Sequence, residues 1–177
     1  MRILITGAFG QLGHALQSVL SKKSNYELIC TGRKIKKGQE GIPLDIRNQV
    51  ALKEIINTTA PDILINLAAM TNVDACELNP KLAGEINVAG LQHICDSFKG
   101  KIIHLSTDYV FDGTSGPYKE DDPLNPISIY GKTKLASEHI LLEKDIKNLV
   151  IRGNVLYDYS PHTSASFLNW VVSSLKD

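Results

Sequence analysis

Short apolar runs alternate along the chain with longer stretches in which apolar residues recur every three or four positions. The short runs predict strands at 2–6, 27–31, 62–66, 101–105 and 149–152. The longer stretches predict helices at 11–21, from Val50 to Pro61, and at 81–98, 128–143 and 167–175. Strands that alternate with helices form βαβ units. We therefore expect an α/β fold with a doubly wound, Rossmann-like parallel sheet that takes up residues 1–177.

The composition excludes several classes of protein. Nineteen basic and nineteen acidic residues give a net charge of zero, which argues against broad electrostatic binding to nucleic acid or an anionic membrane. No apolar run reaches the roughly 20 residues of a membrane-spanning helix, and the N-terminal run is too short for a signal peptide. We therefore expect a cytoplasmic protein. The three cysteines have no close pair and the five histidines are scattered, so we predict neither a disulfide framework nor a metal site.

Three glycines lie between the first predicted strand and the first predicted helix, in the pattern Gly7-x-x-Gly10-x-x-Gly13. Glycine at a strand end permits positive φ, and glycine further on lets a pyrophosphate approach the backbone or a helix pack closely. The N-terminus of the following helix offers N–H groups and a partial positive charge to phosphates. The turn therefore predicts a dinucleotide site, although a tight turn without a ligand would have the same spacing.

The end of the second predicted strand bears on which dinucleotide binds. NAD-binding proteins place an acid there to accept hydrogen bonds from the ribose hydroxyls. This chain has Thr31-Gly32-Arg33-Lys34 instead, and Arg33 or Lys34 could pair with a 2′-phosphate. The sequence thus favours NADP(H), with NAD(H) possible, while a solvated basic loop is the alternative interpretation.

Tyr130 and Lys134 lie four residues apart near the start of a predicted helix and therefore share one face. A nearby ammonium favours the phenolate, which makes such a pair a tunable proton donor and acceptor. Thr107 follows the predicted strand 101–105, and the carboxyl ends of parallel strands are where ligands bind. A hydroxyl there can hydrogen-bond a substrate carbonyl and hold it near the phenol.

These motifs resemble those of the extended short-chain dehydrogenase/reductases, and among them most of all the dTDP-4-dehydrorhamnose reductases. The resemblance covers essentially the whole chain. It rests on the glycine turn, Asn66-Leu67-Ala68-Ala69-Met70-Thr71-Asn72-Val73-Asp74, Ser106-Thr107-Asp108-Tyr109-Val110-Phe111-Asp112-Gly113 and Tyr130-Gly131-Lys132-Thr133-Lys134. It implies NAD(P)H-dependent reduction of the 4-keto group of a dTDP-6-deoxy sugar.

The resemblance also implies a role for individual residues. Thr107 would orient the sugar carbonyl, Tyr130 would deliver the proton, and Lys134 would bind the nicotinamide ribose and lower the pKa of the tyrosine. The other cofactor-binding residues would be Gly7, Phe9, Gly10, Gln11, Leu12, Arg33, Asp45, Ile46, Leu67, Ala68 and Ala69. The residues that face or shape the nucleotide-sugar pocket would be Thr71, Val73, Asp74 and Tyr109. Asn87 matches the family's helix asparagine, and a polar core contact explains it equally well.

The chain departs from this family in its length. Family members continue well beyond this point, so the resemblance implies that the substrate lobe is absent or only begun. The chain would then be a truncated form or a naturally short one, with poor turnover. The apolar residues at 167–175 would be left uncovered, which favours self-association and a possible homo-oligomer. His14 follows the glycine turn where some relatives have an acid for a divalent ion, so no metal is expected.

Two other interpretations remain open. The β subunit of methionine adenosyltransferase has a similar Asp-Tyr-Val-Phe-Asp-Gly run and Tyr-Gly-Lys-Thr-Lys motif, and that resemblance implies a cofactor-binding regulatory partner. Another sugar-nucleotide epimerase or dehydratase of the extended group is the third possibility. Dehydratases need further acid–base residues beside the threonine, and here Asp108 is followed by no glutamate.

Overall fold

The strands in the described part of the chain form one parallel sheet. The computed structural model describes residues 1–154 and 156, with the exception of 24 and 146. The strands are β1 (Arg2–Thr6), β2 (Glu27–Gly32), β3 (Ile42–Pro43), β4 (Ile63–Asn66), β5 (Lys101–Thr107) and β6 (Leu149–Gly153). Their order in the sheet is β3-β2-β1-β4-β5-β6, and every pairing is parallel. This is the doubly wound order of a dinucleotide-binding fold, which confirms the predicted α/β class.

Helices cover both faces of this sheet. They are α1 (Gln11–Leu20), α2 (Gln49–Thr59), α3 (Val73–Leu78), α4 (Pro80–Gly84), α5 (Gly90–Ser97) and α6 (Ile129–Lys144). A π-helical turn, Glu85–Ala89, joins α4 to α5, and a 3₁₀ turn, Asp108–Val110, follows β5. None of the described helices is long and apolar enough to cross a bilayer.

Alternating side chains of β1 show how the two layers pack. Leu4 faces a cluster that includes Leu52 of α2 and Ile94 of α5. Ile3 and Ile5 point the other way, into a second cluster on the side of α1. Successive residues of a strand point to opposite faces, so a strand buried on both sides is apolar throughout. This explains why the predicted strands are continuous apolar runs.

The structure adds elements that the apolar pattern did not indicate. β3 has two residues and α3 has six, and both are too short to show periodicity. β5 extends to Thr107, two residues beyond its predicted end. The helix predicted at 81–98 is interrupted by the π-helical turn. The helix predicted at 167–175 lies outside the described residues.

The carboxyl ends of β1 and β4 lie side by side at the centre of the sheet. From β1 the chain crosses to β2 on one side, and β4 lies on the other side. The helical connections after these two strands therefore diverge, which leaves a crevice at this edge. Open α/β sheets bind their ligands in such a crevice.

Gly13 and Gly84 provide a matched test of helix packing. A Cβ on Gly13 would lie 2.3 Å from the backbone oxygen of Ala8, whereas a Cβ on Gly84 would have nothing within 4 Å. We expect Gly13→Ala to lower the free energy of unfolding by about 1–3 kcal/mol through overpacking. Gly84→Ala should leave it unchanged or raise it by up to about 1 kcal/mol. Urea denaturation measures both, and equal effects would contradict the close packing of α1.

Candidate active site

The glycine turn connects β1 to α1 and contacts the loop after β4. Gly7 has φ of 70°, a region that favours glycine. A Cβ on Gly7 would lie 2.6 Å from the backbone nitrogen of Ala68, so the two loops touch directly. Leu67 and Ala69 on either side of Ala68 are partly buried. The structure thus brings the predicted residues Gly7, Leu67, Ala68 and Ala69 together at the crevice.

Gly10 lies at the N-terminal end of helix α1, which is exposed to solvent. It is the N-cap of α1, is exposed, and no side chain caps the helix. A Cβ on Gly10 would meet only the oxygen of Gly7, at 3.4 Å, so packing does not require glycine here. Gln11 and Leu12 form the first turn of the helix, whose N–H groups lack intrahelical acceptors. This end of α1 is suited to binding an anion.

Phe9 packs against the neighbouring strands. A Cβ on Gly32 would lie 2.8 Å from the ring of Phe9, and a Cβ on Gly41 would lie 2.5 Å from it. The ring therefore holds the ends of β2 and β3 against the glycine turn. Phe9, which the resemblance placed at the cofactor, shapes the crevice through this contact.

Arg33 and Asp45 lie near each other beyond β2 and β3. The guanidinium of Arg47 donates to the Asp45 carboxylate at 2.7 Å, and this hydrogen bond holds the pKa of Asp45 below its usual value. The charge of the exposed Arg33 contributes in the same direction. Asp45 lies in the turn before α2, whose N-cap is Asn48. The sequence analysis missed Arg47.

A cavity of about 440 Å³ adjoins Asp45. Its lining residues are Asp45, Arg47, Asn48, Glu85, Ala89 and His93. Ile46 is buried beneath α5, where a Cβ on Gly90 would lie 2.6 Å from its side chain. Asp45 therefore lines the cavity, whereas Ile46 packs against α5.

Thr107 and Tyr130 meet at the carboxyl end of β5. Burial raises the pKa of the Tyr130 phenol, and a hydrogen bond with Thr107 opposes that rise. The Thr107 hydroxyl also accepts from the backbone N–H of Tyr109 at 3.2 Å and lies 3.1 Å from the Asp108 carboxylate. The Tyr109 ring contacts that of Tyr130 edge-on, with centroids 5.8 Å apart. The predicted Thr107 and Tyr130 side chains are therefore neighbours at this end of the strand.

Lys134 lies one helical turn beyond Tyr130 and points into the protein. The residue is 2% exposed, and its Nζ donates to the backbone oxygen of Leu105 at 2.6 Å. Nζ also lies 3.0 Å from Nε2 of His104. Burial lowers the pKa of Lys134 to about 7, and the Glu138 carboxylate acts against that shift. Of the predicted pair, Lys134 is thus fully buried, whereas Tyr130 is half-buried.

The residues predicted to face a substrate lie on the loop after β4 and on α3. Thr71 and Asp74 are exposed and Val73 is half-buried at the start of α3. Helix α3 packs on α6, where the backbone N–H of Ile129 donates to Glu77 at 2.6 Å. This contact places the C-terminal part of α3 beside the start of α6, next to Tyr130.

Asn87 lies in the π-helical turn and connects this loop to α6. Its amide accepts from the N–H of Met70 at 2.8 Å and donates to the Met70 oxygen at 3.1 Å and to the Thr133 hydroxyl at 3.0 Å. The side chain is buried and fully engaged. The structure therefore favours the polar core contact over a direct role in binding.

Glu138 and Arg152 form a second buried contact that the sequence analysis missed. Glu138 is 1% exposed, accepts from the Ser106 hydroxyl and pairs with the guanidinium of Arg152 at 2.8 Å. Arg152 also lies over the ring of Phe111, 5.4 Å from its centroid. Because Ser106 precedes Thr107 in β5, this contact supports the end of the strand. Buried charges such as Glu138 in α6 and Arg152 in β6 do not follow the apolar periodicity from which burial is predicted.

A larger cavity, of about 1110 Å³, extends from the 3₁₀ turn to strand β6. Asp108 and Tyr109 line it, together with Ile127 and Arg152, whereas Thr107, Tyr130 and Lys134 do not. Asp112 organises one wall, since its carboxylate accepts from Thr114, Tyr118 and Asn125. The cavity therefore adjoins the hydroxyl pair without containing it. Among the described residues, no three potential metal ligands come together, and the absence of a metal stays a prediction.

The fold and site together are those of an extended short-chain dehydrogenase/reductase. A parallel sheet in the doubly wound order carries an open glycine turn, and a Thr–Tyr–Lys set stands at the same edge. The chain belongs to the family of the RmlD substrate binding domain, whose profile matches residues 1–176.

Two curated proteins and one solved structure illustrate the similarity. The chain is 39% identical over 155 residues to a dTDP-4-dehydrorhamnose reductase of Aggregatibacter actinomycetemcomitans, covering 85% of this chain and 50% of the relative. It is 36% identical over 159 residues to methionine adenosyltransferase 2 subunit beta of Xenopus tropicalis, covering 88% and 47%.

The solved structure is that of a dTDP-4-dehydrorhamnose reductase from Bacillus anthracis in complex with NADP. It superposes with a TM-score of 0.84 at 32% identity, covering 99% of this chain and 60% of that one. The chain therefore spans about half the length of these curated relatives and 60% of the solved neighbour. Both resemblances that the motifs indicated, to the reductases and to the β subunit, are present among the relatives.

Proposed function

We propose that this chain is the cofactor-binding and proton-donating part of an NAD(P)H-dependent reductase that acts on the 4-keto group of a dTDP-6-deoxy sugar. The observation that carries the proposal is the placement of Thr107 beside Tyr130 at the end of β5, with Lys134 buried one turn further along α6. The reductase names of the Aggregatibacter and Bacillus relatives supply the substrate class. The proposal assigns residues 1–177 to this dinucleotide-binding domain.

The residues at the crevice fit a nicotinamide dinucleotide. The uncapped N-terminus of α1, with Gly10 and Gln11, would receive the pyrophosphate, because Gly10 leaves the backbone open to an anion. The turn at Asp45 would lie beside the adenine, and Lys134 would reach the nicotinamide ribose. When bound, the reduced cofactor supplies the hydride. Arg33 favours NADP(H), as does the NADP complex of the Bacillus relative, with NAD(H) as the alternative.

The protein's own residues would bind and protonate the oxygen of the sugar carbonyl. Thr107 would donate a hydrogen bond to that oxygen, and Tyr130 would transfer its phenolic proton to it as the carbonyl carbon is reduced. The product is then a hydroxyl group, and a tyrosinate is left behind. An ammonium at Lys134 would stabilise that tyrosinate, which offsets the burial that raises the pKa of Tyr130.

The substrate would approach from the side of α3 and the 3₁₀ turn. Tyr109 contacts the ring of Tyr130, and Thr71, Val73 and Asp74 lie on the loop after β4 and at the start of α3, a helix that packs on α6. The adjoining cavity of about 1110 Å³ provides room for a ligand larger than the reacting sugar. We propose that it receives part of the nucleotide sugar. A cytoplasmic location and a homo-oligomeric state remain predictions from the sequence.

A second candidate is a regulatory subunit that binds a dinucleotide without reducing a sugar. It is supported by the 36% identity to the Xenopus methionine adenosyltransferase subunit. The Thr107, Tyr130 and Lys134 set would then serve binding alone. The two candidates differ in whether cofactor oxidation depends on a keto sugar, which the next experiment measures.

Tyr130→Phe tests the reductase assignment. We expect oxidation of NADPH only when a dTDP-4-keto-6-deoxy sugar is added, and the variant should reduce this rate about a hundredfold to ten-thousandfold because the acid is lost. Tyr26→Phe removes a hydroxyl far from the site and should change nothing. Absorbance of the reduced nicotinamide follows the reaction. Saturable NADPH binding without any sugar-dependent oxidation would favour the regulatory candidate.

Arg33→Glu tests the preference for NADP(H). Losing a charge-assisted contact to a 2′-phosphate should weaken NADPH binding by about tenfold to a hundredfold, and NADH binding far less. Lys37→Glu makes the same change of charge four residues further along the loop and serves as the control. Calorimetric titration gives both dissociation constants. Equal losses for NADPH and NADH in Arg33→Glu would mean that Arg33 does not contact the 2′-phosphate.

A further inference from the structure

A row of polar side chains crosses the interior behind Lys134. His104 of β5 is 1% exposed, and its Nδ1 lies 3.0 Å from the amide nitrogen of Asn66 on β4. Its Nε2 lies 3.1 Å from the hydroxyl of Ser137 and 3.0 Å from Nζ of Lys134, both on α6. The reaction proposed above uses Lys134 but assigns no task to His104. Because His104 is buried and contacts Lys134, the position of the proton on its ring affects the charge state of the lysine.

The orientation of the Asn66 amide determines which ring nitrogen of His104 is protonated. The backbone N–H of Ala68 donates to Oδ1 of Asn66 at 3.2 Å, and the Thr6 hydroxyl donates to the same oxygen at 2.6 Å. A backbone N–H can only donate, so this atom must be the amide oxygen. The NH₂ group therefore faces His104 and donates to Nδ1. Nδ1 accepts that hydrogen bond and carries no proton.

The neutral ring of His104 must then carry its proton on Nε2. The Ser137 hydroxyl donates to the backbone oxygen of Lys134 at 2.6 Å, which leaves a lone pair to accept from this N–H. Lys134 lies at nearly the same distance from Nε2. An ammonium has no lone pair with which to accept, whereas an uncharged amine has one. The ring therefore interacts better with the amine than with the ammonium.

Other charges around Lys134 act on the same equilibrium. The titratable groups that face Lys134, or Tyr130 beside it, are His104, Tyr130, Glu138, Asp108, Tyr109 and Cys76. Glu138 favours the ammonium, but it is paired with Arg152 from β6. Burial and the charge of Lys134 hold the pKa of His104 well below its usual range, so the ring stays neutral. Burial also lowers the pKa of Lys134, so burial and the His104 ring both favour the uncharged amine.

We propose that His104, held by the amide of Asn66 as the tautomer with its proton on Nε2, is a positioning residue that favours the uncharged amine of Lys134. His104 thereby helps to set the pH at which Lys134 carries a charge. Only the use of that charge rests on the proposed function: a tyrosinate at residue 130 is stabilised while Lys134 is an ammonium. The tautomer itself is a property of the free chain.

Nitrogen-15 NMR of the chain labelled at histidine tests the tautomer directly. The chemical shifts of Nδ1 and Nε2 distinguish protonated from unprotonated ring nitrogens, and His104→Phe identifies the signals. We expect one neutral tautomer, protonated on Nε2, from about pH 6 to about pH 8, the range in which unperturbed histidine titrates. A proton on Nδ1, or an imidazolium at the lower end of this range, would overturn the proposal.

Lys134→Met separates the two possible causes of the tautomer. If Asn66 selects the tautomer, the ring stays protonated on Nε2 without the lysine. A proton that moves to Nδ1 in this variant would show that Lys134 controls the ring, and the proposal would fail.

Asn66→Asp reverses the arrangement. A carboxylate has no proton to donate, so Nδ1 becomes the donor and the lone pair of Nε2 can accept from an ammonium. We expect the ring proton on Nδ1. We also expect the titration midpoint of Lys134 to rise by about one unit or more, which NMR of carbon-13-labelled lysine measures. Thr6→Val is the control, because Ala68 still donates to Asn66 and both readouts should stay unchanged.

An unchanged ring in Asn66→Asp would overturn the proposal. Both readouts use the chain without cofactor or substrate. A protein with the expected tautomer and no sugar-dependent oxidation would therefore contradict the proposed function while supporting the role of His104.

Discussion

Helix α6 is held against strand β5 by polar side chains that are shielded from water, and the candidate site depends on this contact. Lys134 donates to Leu105, and Glu138 accepts from Ser106 while it pairs with Arg152. Removing one partner of a buried charge pair is strongly destabilising, because the other charge is left without compensation. The contact therefore fixes the position of the helix along the strand. Tyr130 consequently reaches the end of β5, where Thr107 lies.

A second constraint acts at the centre of the sheet. The turn at Gly7 and the loop at Ala68 approach so closely that a single methyl group would separate them. This approach places the open end of α1 beside the loop whose Met70 is held by Asn87. The helix terminus proposed to bind an anion and the tyrosine proposed to donate a proton thus lie at one edge of the sheet. A dinucleotide that extends along this edge would contact both.

The sequence predicted the sheet and the outline of the site, because both depend on local patterns. Continuous apolar runs indicate strands buried on both faces, and the glycine spacing and the Tyr130–Lys134 pair are visible in the chain. Strand β3 was missed because two residues carry no period. His104 and Glu138 were missed for another reason. In the sequence, a polar residue within a helix or a buried strand cannot be distinguished from an exposed one, because only the tertiary fold shows its partner.

The most direct measurement is a crystal structure of the chain with NADP. The account predicts the pyrophosphate at the N-terminus of α1 over Gly10, and the nicotinamide ribose within hydrogen-bond distance of Lys134 and next to Tyr130. Lys134 would bind the ribose either in place of the backbone oxygen of Leu105 or in addition to it. A dinucleotide bound away from the glycine turn, or a nicotinamide pointing away from Tyr130, would contradict the account.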